Sequence, residues 1–217
     1  MARKDRMGNR KTRDQRSKRR IPEMRYYLVV TDTEATECCF FTGLHNSLPE
    51  EMKQKLVIKV VETDTQDLIQ KCQELTAYDA QYRIPWIVFD RDQVVDFDQI
   101  VTRAEKAGIY AGWSNPCFEI WLFAYFGMMP VIQDSWTCCS KFAELYFRKT
   151  GHEYTKADKN VYMRLCEYGN EERALVIAEQ KYQQCMRDGK THPSTMCPAT
   201  RVYELVREIK SKVSQHV

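Results

Sequence analysis

The sequence is poor in several features that would place it in well-known classes. Only eight glycines and seven prolines occur in 217 residues, which argues against a low-complexity or disordered chain. No apolar run approaches the ~18 residues that a membrane-spanning helix needs. The basic N-terminus is not followed by the apolar segment of a secretory signal. We therefore expect a cytoplasmic protein with no membrane partner.

Motifs for several common chemistries are also missing. The nine cysteines form no C-x-x-C pair and the four histidines do not cluster, so the spacing predicts no zinc site. An odd cysteine count with two adjacent pairs is typical of free thiols in a reducing compartment. The sequence has no G-x-S-x-G, no G-x-x-x-x-G-K-[ST] and no G-x-G-x-x-G motif, which argues against a serine hydrolase, an ATPase and a dinucleotide-binding protein.

What the chain does have is a strongly basic N-terminal arm over residues 1–22. Residues 1–20 carry a net charge of +8, which leaves −5 for the rest of a chain whose total is +3. Such an arm suits a polyphosphate partner, because each lysine or arginine on a phosphate releases counterions. The alternative is a solubilising tail that becomes ordered against a partner protein. The candidate nucleic-acid-binding residues are Arg10, Lys11, Arg13, Arg16, Lys18, Arg19 and Arg20.

Residues 23–113 alternate between predicted strands and helices. β-Branched and aromatic runs predict strands at 25–31, 56–61, 84–90 and 109–113. Amphipathic segments between them predict helices at 35–46, from 63 or 64 to 78, and at 97–107, the last closed by Gly108. This order predicts a doubly wound α/β core with a parallel sheet of about four strands and flanking helices.

Residues 114–217 read as a helical C-terminal layer packed on that core. Ser114 is a plausible N-cap and Pro116 suits a first helical turn, so a helix is predicted over 115–126. Further helices are predicted at 135–149, 158–167, 171–187 and 199–213.

Acidic residues follow two of the predicted strands. Asp32 ends the first strand, and Asp90 and Asp92 end the third with Arg91 between them. Strand alternation places both carboxylates of the D-x-D on one side, and a cation is needed to neutralise them. Mg²⁺ takes one or two carboxylates together with water and substrate phosphate. The alternative is a solvated loop after a strand.

Three glutamates are further candidates. Glu37 lies one turn into the first helix and Glu34 just before it; either could reach the acids at the strand ends, or simply favour the helix N-terminus as surface charge. Glu119 is surrounded in sequence by apolar residues, so if buried it needs a base, a metal or a hydrogen-bond donor. Asn115 is a candidate partner four residues earlier, in a contact that could be purely structural.

Five motifs carry a resemblance to a known family. They are YLVVTDTEATECCFF at 27–41, PWIVFDRD at 85–92, SNPCFEIWL at 114–122, YTK at 154–156 and PST at 193–195. Together with the basic arm, they make the chain resemble the RloB-like family, which includes the AbiLii component of abortive-infection phage defence. The motifs span nearly the whole chain in the expected order.

The resemblance implies a TOPRIM-like fold with an acidic residue after the first strand and a D-x-D after the third. It implies Mg²⁺ (or Mn²⁺) held by Asp32, Asp90 and Asp92, with Asp32, Glu37, Asp90, Asp92 and Glu119 as catalytic candidates. The expected function is Mg²⁺-dependent cleavage of RNA, tRNA above all, or of DNA, as a toxic effector in phage defence. An AAA- or ABC-type ATPase encoded alongside is the expected protein partner.

One departure from the family pattern opens an alternative. The family usually reads Glu-Gly where this chain has Asp32 and Thr33. Aspartate is one methylene shorter than glutamate, and threonine lacks the conformational freedom of glycine. The alternative function is therefore a catalytically degenerate module that binds nucleic acid or the ATPase partner without cutting.

Overall fold

The computed structural model describes residues 24–32, 36–77, 83–92 and 94–215. The predicted basic arm, with its seven candidate nucleic-acid-binding residues, lies outside these ranges, as do Thr33 and Glu34. Within the described ranges, no helix combines the length and the apolar character that crossing a membrane requires.

Five strands and nine helices make up the described part of the chain. Strands β1 to β5 span Arg25–Asp32, Leu56–Thr63, Arg83–Asp90, Tyr110–Asn115 and Ala199–Thr200. Helices α1 to α9 span Thr36–Ser47, Glu50–Lys55, Leu68–Thr76, Phe97–Lys106, Glu119–Tyr125, Ser135–Thr150, Val161–Tyr168, Glu171–Arg187 and Val202–Ser214. Single 3₁₀ turns lie at Thr65–Asp67 and Pro193–Thr195.

All five strands belong to one sheet with the order β2-β1-β3-β4-β5. The first four are parallel, and β5 pairs antiparallel with the end of β4. The predicted α/β class, with a mostly parallel sheet, flanking helices and C-terminal helices, is confirmed. The chain runs from β1 to β2 on one side and then crosses to β3 on the other, so the topological switch point lies between β1 and β3.

Strand β1 is buried on both faces because helices cover both sides of the sheet. Tyr27 and Val29 face one apolar cluster with α1, α5 and the C-terminal helices, whereas Leu28 and Val30 face a second cluster with α3 and α4. This explains why the strand reads as a continuous apolar run rather than as an alternating one.

An aromatic cluster fixes α1 against the C-terminal helices. The Phe40 ring on α1 makes edge-on contacts with Phe118, Trp121, Tyr125 and Tyr162, with ring centroids 5.2–6.3 Å apart. Such edge-to-face pairs stabilise by about 0.5–1.5 kcal/mol each beyond the burial of their area. The position of α1 relative to α5 is therefore closely determined.

Three boundaries differ from the sequence-based expectations. Residues Ala199–Thr200 were expected to open a helix, but they form β5, because the end of β4 offers them backbone partners. Ser114 is not a helix N-cap; it lies in β4, and the following helix begins only at Glu119. The short helix Glu50–Lys55 was not predicted, since six residues carry too little periodicity to detect.

Candidate functional site

The carboxyl ends of β1 and β3 bring two acids into one region, where their charges interact. Asp32 is the last residue of β1 and Asp90 is the last residue of β3, and the two strands are neighbours in parallel register. This is the switch point of the sheet, where open α/β folds bind their ligands.

Burial and mutual repulsion raise the pKa values of these two acids. Burial raises the pKa of Asp32 to about 6, with Asp92 adding to the shift, while a 3.3 Å hydrogen bond from the Thr65 hydroxyl opposes it. Burial also raises the pKa of Asp90 well above its ordinary value, and the charges of Asp32, Glu119 and Asp92 raise it further.

Glu37 joins the group from α1. Its side chain is only 4% exposed, and burial raises its pKa well above the ordinary value, with repulsion from Asp90, Asp32 and Glu119 adding to the effect. Because the Phe40 contacts hold α1 in place, Glu37 cannot relieve this repulsion by a shift of the helix.

Asp92 lies in the turn after β3 and is exposed. Its backbone N–H donates to the Pro116 carbonyl at 2.9 Å, which ties the turn to the end of β4. Arg91 points away from the acids: its guanidinium donates to the Val94 carbonyl at 3.0 Å and lies 5.9 Å from the centre of the Phe97 ring. Arg91 is therefore engaged elsewhere and does not pair with the acids.

Glu119 opens α5 and is 1% exposed. Its partner is Tyr154, whose hydroxyl donates to Glu119 Oε1 at 2.8 Å and also lies 2.9 Å from Thr36 Oγ1. The predicted pairing of Glu119 with Asn115 is wrong. Asn115 ends β4, and its side-chain amide donates to the carbonyls of Pro193 and Ser194. The Asn115 amide thus anchors the PST turn.

Lys156 brings a positive charge that acts on several of these acids. Burial opposes the charge on its ammonium, yet the fields of Glu119 and Asp90, with those of nearby thiols, raise its pKa overall. Tyr154 and Lys156 both come from the YTK segment. The sequence pattern predicted no chemical role for either residue.

The five acids proposed from sequence thus interact electrostatically in one region. They are not tightly gathered: in the described ranges, no three of them have carboxylate oxygens all within 4.8 Å of one another. The group that meets this distance is a different one, formed by Cys117, Glu119 and Cys139. Sequence spacing overlooked it because its residues come from two segments with no recognised metal motif.

The donor chemistry of the acids nevertheless fits Mg²⁺. Mg²⁺ prefers oxygen ligands and keeps several of its waters, so it does not require a closed cage of carboxylates. Thr31, near the end of β1, shares the strand face of Val29, which is covered by α1. Its hydroxyl is buried without a hydrogen-bond partner among the described residues. Buried hydroxyls nearly always have a partner, so this end of β1 has one unused hydroxyl oxygen.

Comparison with known proteins decides the family. The family model described as RloB-like protein matches residues 27–209. The chain belongs to the RloB-like family. Its sequence matches none of the curated proteins or solved structures with which it was compared.

The matched region of this RloB-like chain contains every acid of the candidate site. Asp32, Glu37, Asp90, Asp92 and Glu119 all lie between residues 27 and 209, as do Tyr154 and Lys156. The basic arm precedes the match.

The pKa of Asp32 makes a prediction for the metal-free protein. A carboxyl with a raised folded-state pKa stabilises the fold below its ordinary value of 3.8, and this stabilisation is lost as the pH rises through about 6. In EDTA, the melting temperature should fall more steeply across this window for the wild type than for Asp32→Asn. Equal slopes, measured by thermal unfolding at a series of pH values, would show that Asp32 is not a strained acid.

Proposed function

We propose that this RloB-like chain is a Mg²⁺-dependent nuclease that acts on RNA, with tRNA the first candidate, or on DNA. The observation that carries the proposal is the set of buried and partly buried carboxylates at the switch point, whose pKa values are raised by burial and by one another. Carboxyl groups with such raised pKa values are typical of functional sites. A bound cation there would compensate for the repulsion between them.

Asp90 and Asp92 would hold Mg²⁺, with Asp32 sharing it. The ion would supply polarisation of a phosphodiester and stabilisation of the departing oxygen. Asp32 or Glu37 would orient the attacking water and accept its proton, since a carboxylate with a raised pKa is a better base than an ordinary one. Tyr154 would hold Glu119 in position, and Lys156 would face the substrate phosphate.

The substrate class follows from charge and from the family. The arm, with its net charge of +8 over residues 1–20, would supply sequence-independent grip on a nucleic-acid backbone. A small nucleotide does not need positive charge spread over so long a segment. As in the family resemblance, the chain would act as the toxic effector of a phage-defence system beside an AAA- or ABC-type ATPase.

The alternative is a binding module that no longer cuts. It is favoured by Asp32 and Thr33 in place of the Glu-Gly of the family, and by the spacing of the acids, no three of which have oxygens all within 4.8 Å of one another in the described ranges. In that case the same region would bind nucleic acid or the ATPase without chemistry.

A cleavage assay separates the two functions. Purified protein is incubated with total RNA, tRNA and plasmid DNA, with Mg²⁺ and with EDTA, alone and with the co-expressed ATPase. We expect cleavage that needs Mg²⁺ and falls by roughly 100-fold or more in Asp90→Asn, because a metal-held transition state loses several kcal/mol without its ligand.

The matched control is Asp188→Asn, which changes an exposed aspartate at the end of α8 and should leave cleavage unchanged. Wild-type cleavage by Asp90→Asn would contradict the proposed metal site. No cleavage of any substrate by the wild type, even with the ATPase present, would favour the binding module.

Trp136 is an exposed aromatic residue that could stack on nucleic-acid bases, on a helix that begins near the D-x-D turn. It is 80% exposed, whereas the other three tryptophans are at most 2% exposed. Its neighbour Ser135 donates from its hydroxyl to the Pro116 carbonyl at 3.4 Å, and that carbonyl also accepts from Asp92 N–H. Helix α6, with Trp136 as its second residue, therefore begins near the D-x-D turn.

If Trp136 stacks on a base, its fluorescence reports binding directly, because the other indoles are buried. We expect single-stranded oligonucleotides to quench the tryptophan emission, and Trp136→Ala to weaken binding roughly 5- to 150-fold, which corresponds to about 1–3 kcal/mol per stacked base. Trp136→Phe should retain most of the affinity. Unchanged affinity in Trp136→Ala, measured by fluorescence anisotropy of a labelled oligonucleotide, would exclude this role.

A further inference from the structure

Two thiols lie beside Glu119, and neither has a part in the proposed nuclease chemistry. Cys117 precedes α5 and is 1% exposed, and Cys139 lies in the second turn of α6 and is half-buried. Both are free cysteines, with their Sγ atoms 3.9 Å apart. Each sulfur also lies within 4.8 Å of a Glu119 carboxylate oxygen.

The separation of the sulfurs matches two corners of a tetrahedral metal site. A Zn–S bond of about 2.3 Å places two sulfurs about 3.8 Å apart at the corners of a tetrahedron. The observed 3.9 Å is therefore the spacing that two zinc ligands need, before any movement of α5 or α6.

The chemistry of the three groups selects a class of cation. Thiolates bind Zn²⁺ and other thiophilic metals, whereas Mg²⁺ takes oxygen ligands almost exclusively. Two sulfurs and one carboxylate therefore form a set distinct from Asp32, Asp90 and Asp92. Glu119 is the residue that borders both.

We propose that Cys117, Cys139 and Glu119 bind one thiophilic divalent cation of the Zn²⁺ class. Three protein ligands leave the fourth tetrahedral position for water, as in zinc sites that are open to solvent. This proposal does not depend on nuclease activity.

The surroundings of Glu119 suit a metal ligand. The Tyr154 hydroxyl donates to Oε1 at 2.8 Å, which orients the carboxylate and leaves its second oxygen for the ion. Ligands oriented by such hydrogen bonds are the rule in metal sites. Lys156, whose charge acts on Glu119 and on both thiols, is exposed and can turn to solvent when a cation takes its place.

Cobalt substitution tests the proposal without an activity assay. The full-length protein, reduced and kept free of oxygen, is titrated with Co²⁺, whose thiolate charge-transfer and tetrahedral ligand-field absorption report sulfur ligands directly. With excess Mg²⁺ present to fill the carboxylate site, we expect the thiolate bands to saturate at one Co²⁺ per chain and to disappear on addition of Zn²⁺. The bands should be lost in Cys117→Ser and in Cys139→Ser.

The control is Cys166→Ser, an exposed thiol on α7, which should keep the full spectrum. Cys139→Ser is the main variant because its site is only half-buried, and circular dichroism confirms that it folds. An unchanged spectrum in Cys139→Ser, loss of the bands in Cys166→Ser, or no thiolate band in the wild type would each overturn the proposal.

Discussion

Repulsion among buried and partly buried carboxylates is the main constraint at the carboxyl end of this sheet. Asp32, Asp90, Glu37 and Glu119 come from two strands and two helices, yet each acts on the charge of at least one other. Burying one unpaired charge is costly, and burying several of the same sign is more so. This cost appears as raised pKa values of Asp32, Glu37 and Asp90, and the cation of the proposed function would relieve it.

The packing prevents the acids from separating. Phe40 is in contact with rings from α5 and α7, and Gly43 one turn later lies so close to α7 that a Cβ there would be 2.7 Å from Tyr162 Cβ. A protein interior packed this densely does not allow its helices to shift by several ångströms. The hydrophobic core thus holds Glu37 and Glu119 near the carboxyl ends of the strands. The free energy of apolar burial offsets the electrostatic cost of placing them there.

The features that depend on local sequence pattern could be predicted. Continuous apolar runs predicted β1 and β3, and acids at their ends predicted a shared region, because parallel strands bring their carboxyl ends to one edge. The partners of Glu119 could not be predicted in this way. Tyr154 is 35 residues away and reaches Glu119 only through the packing of the C-terminal helices.

The same limit applies to the thiols and to β5. Cys117 and Cys139 are 22 residues apart, and no spacing rule links a loop cysteine to one on the next long helix. Ala199–Thr200 pairs with β4 over two residues, too short a strand for any periodicity. Each depends on contacts made only once the sheet and the helical layer have packed together.

Locating a bound metal tests the central claim most directly. Crystals grown with Mn²⁺, which takes the same oxygen ligands as Mg²⁺, would show its position by anomalous scattering. We expect an anomalous peak between Asp32, Asp90 and Asp92, at the carboxyl ends of β1 and β3. A crystal grown with Mn²⁺ that shows no peak there, and whose carboxyl groups are hydrogen-bonded to one another as neutral acids, would contradict the proposed metal site.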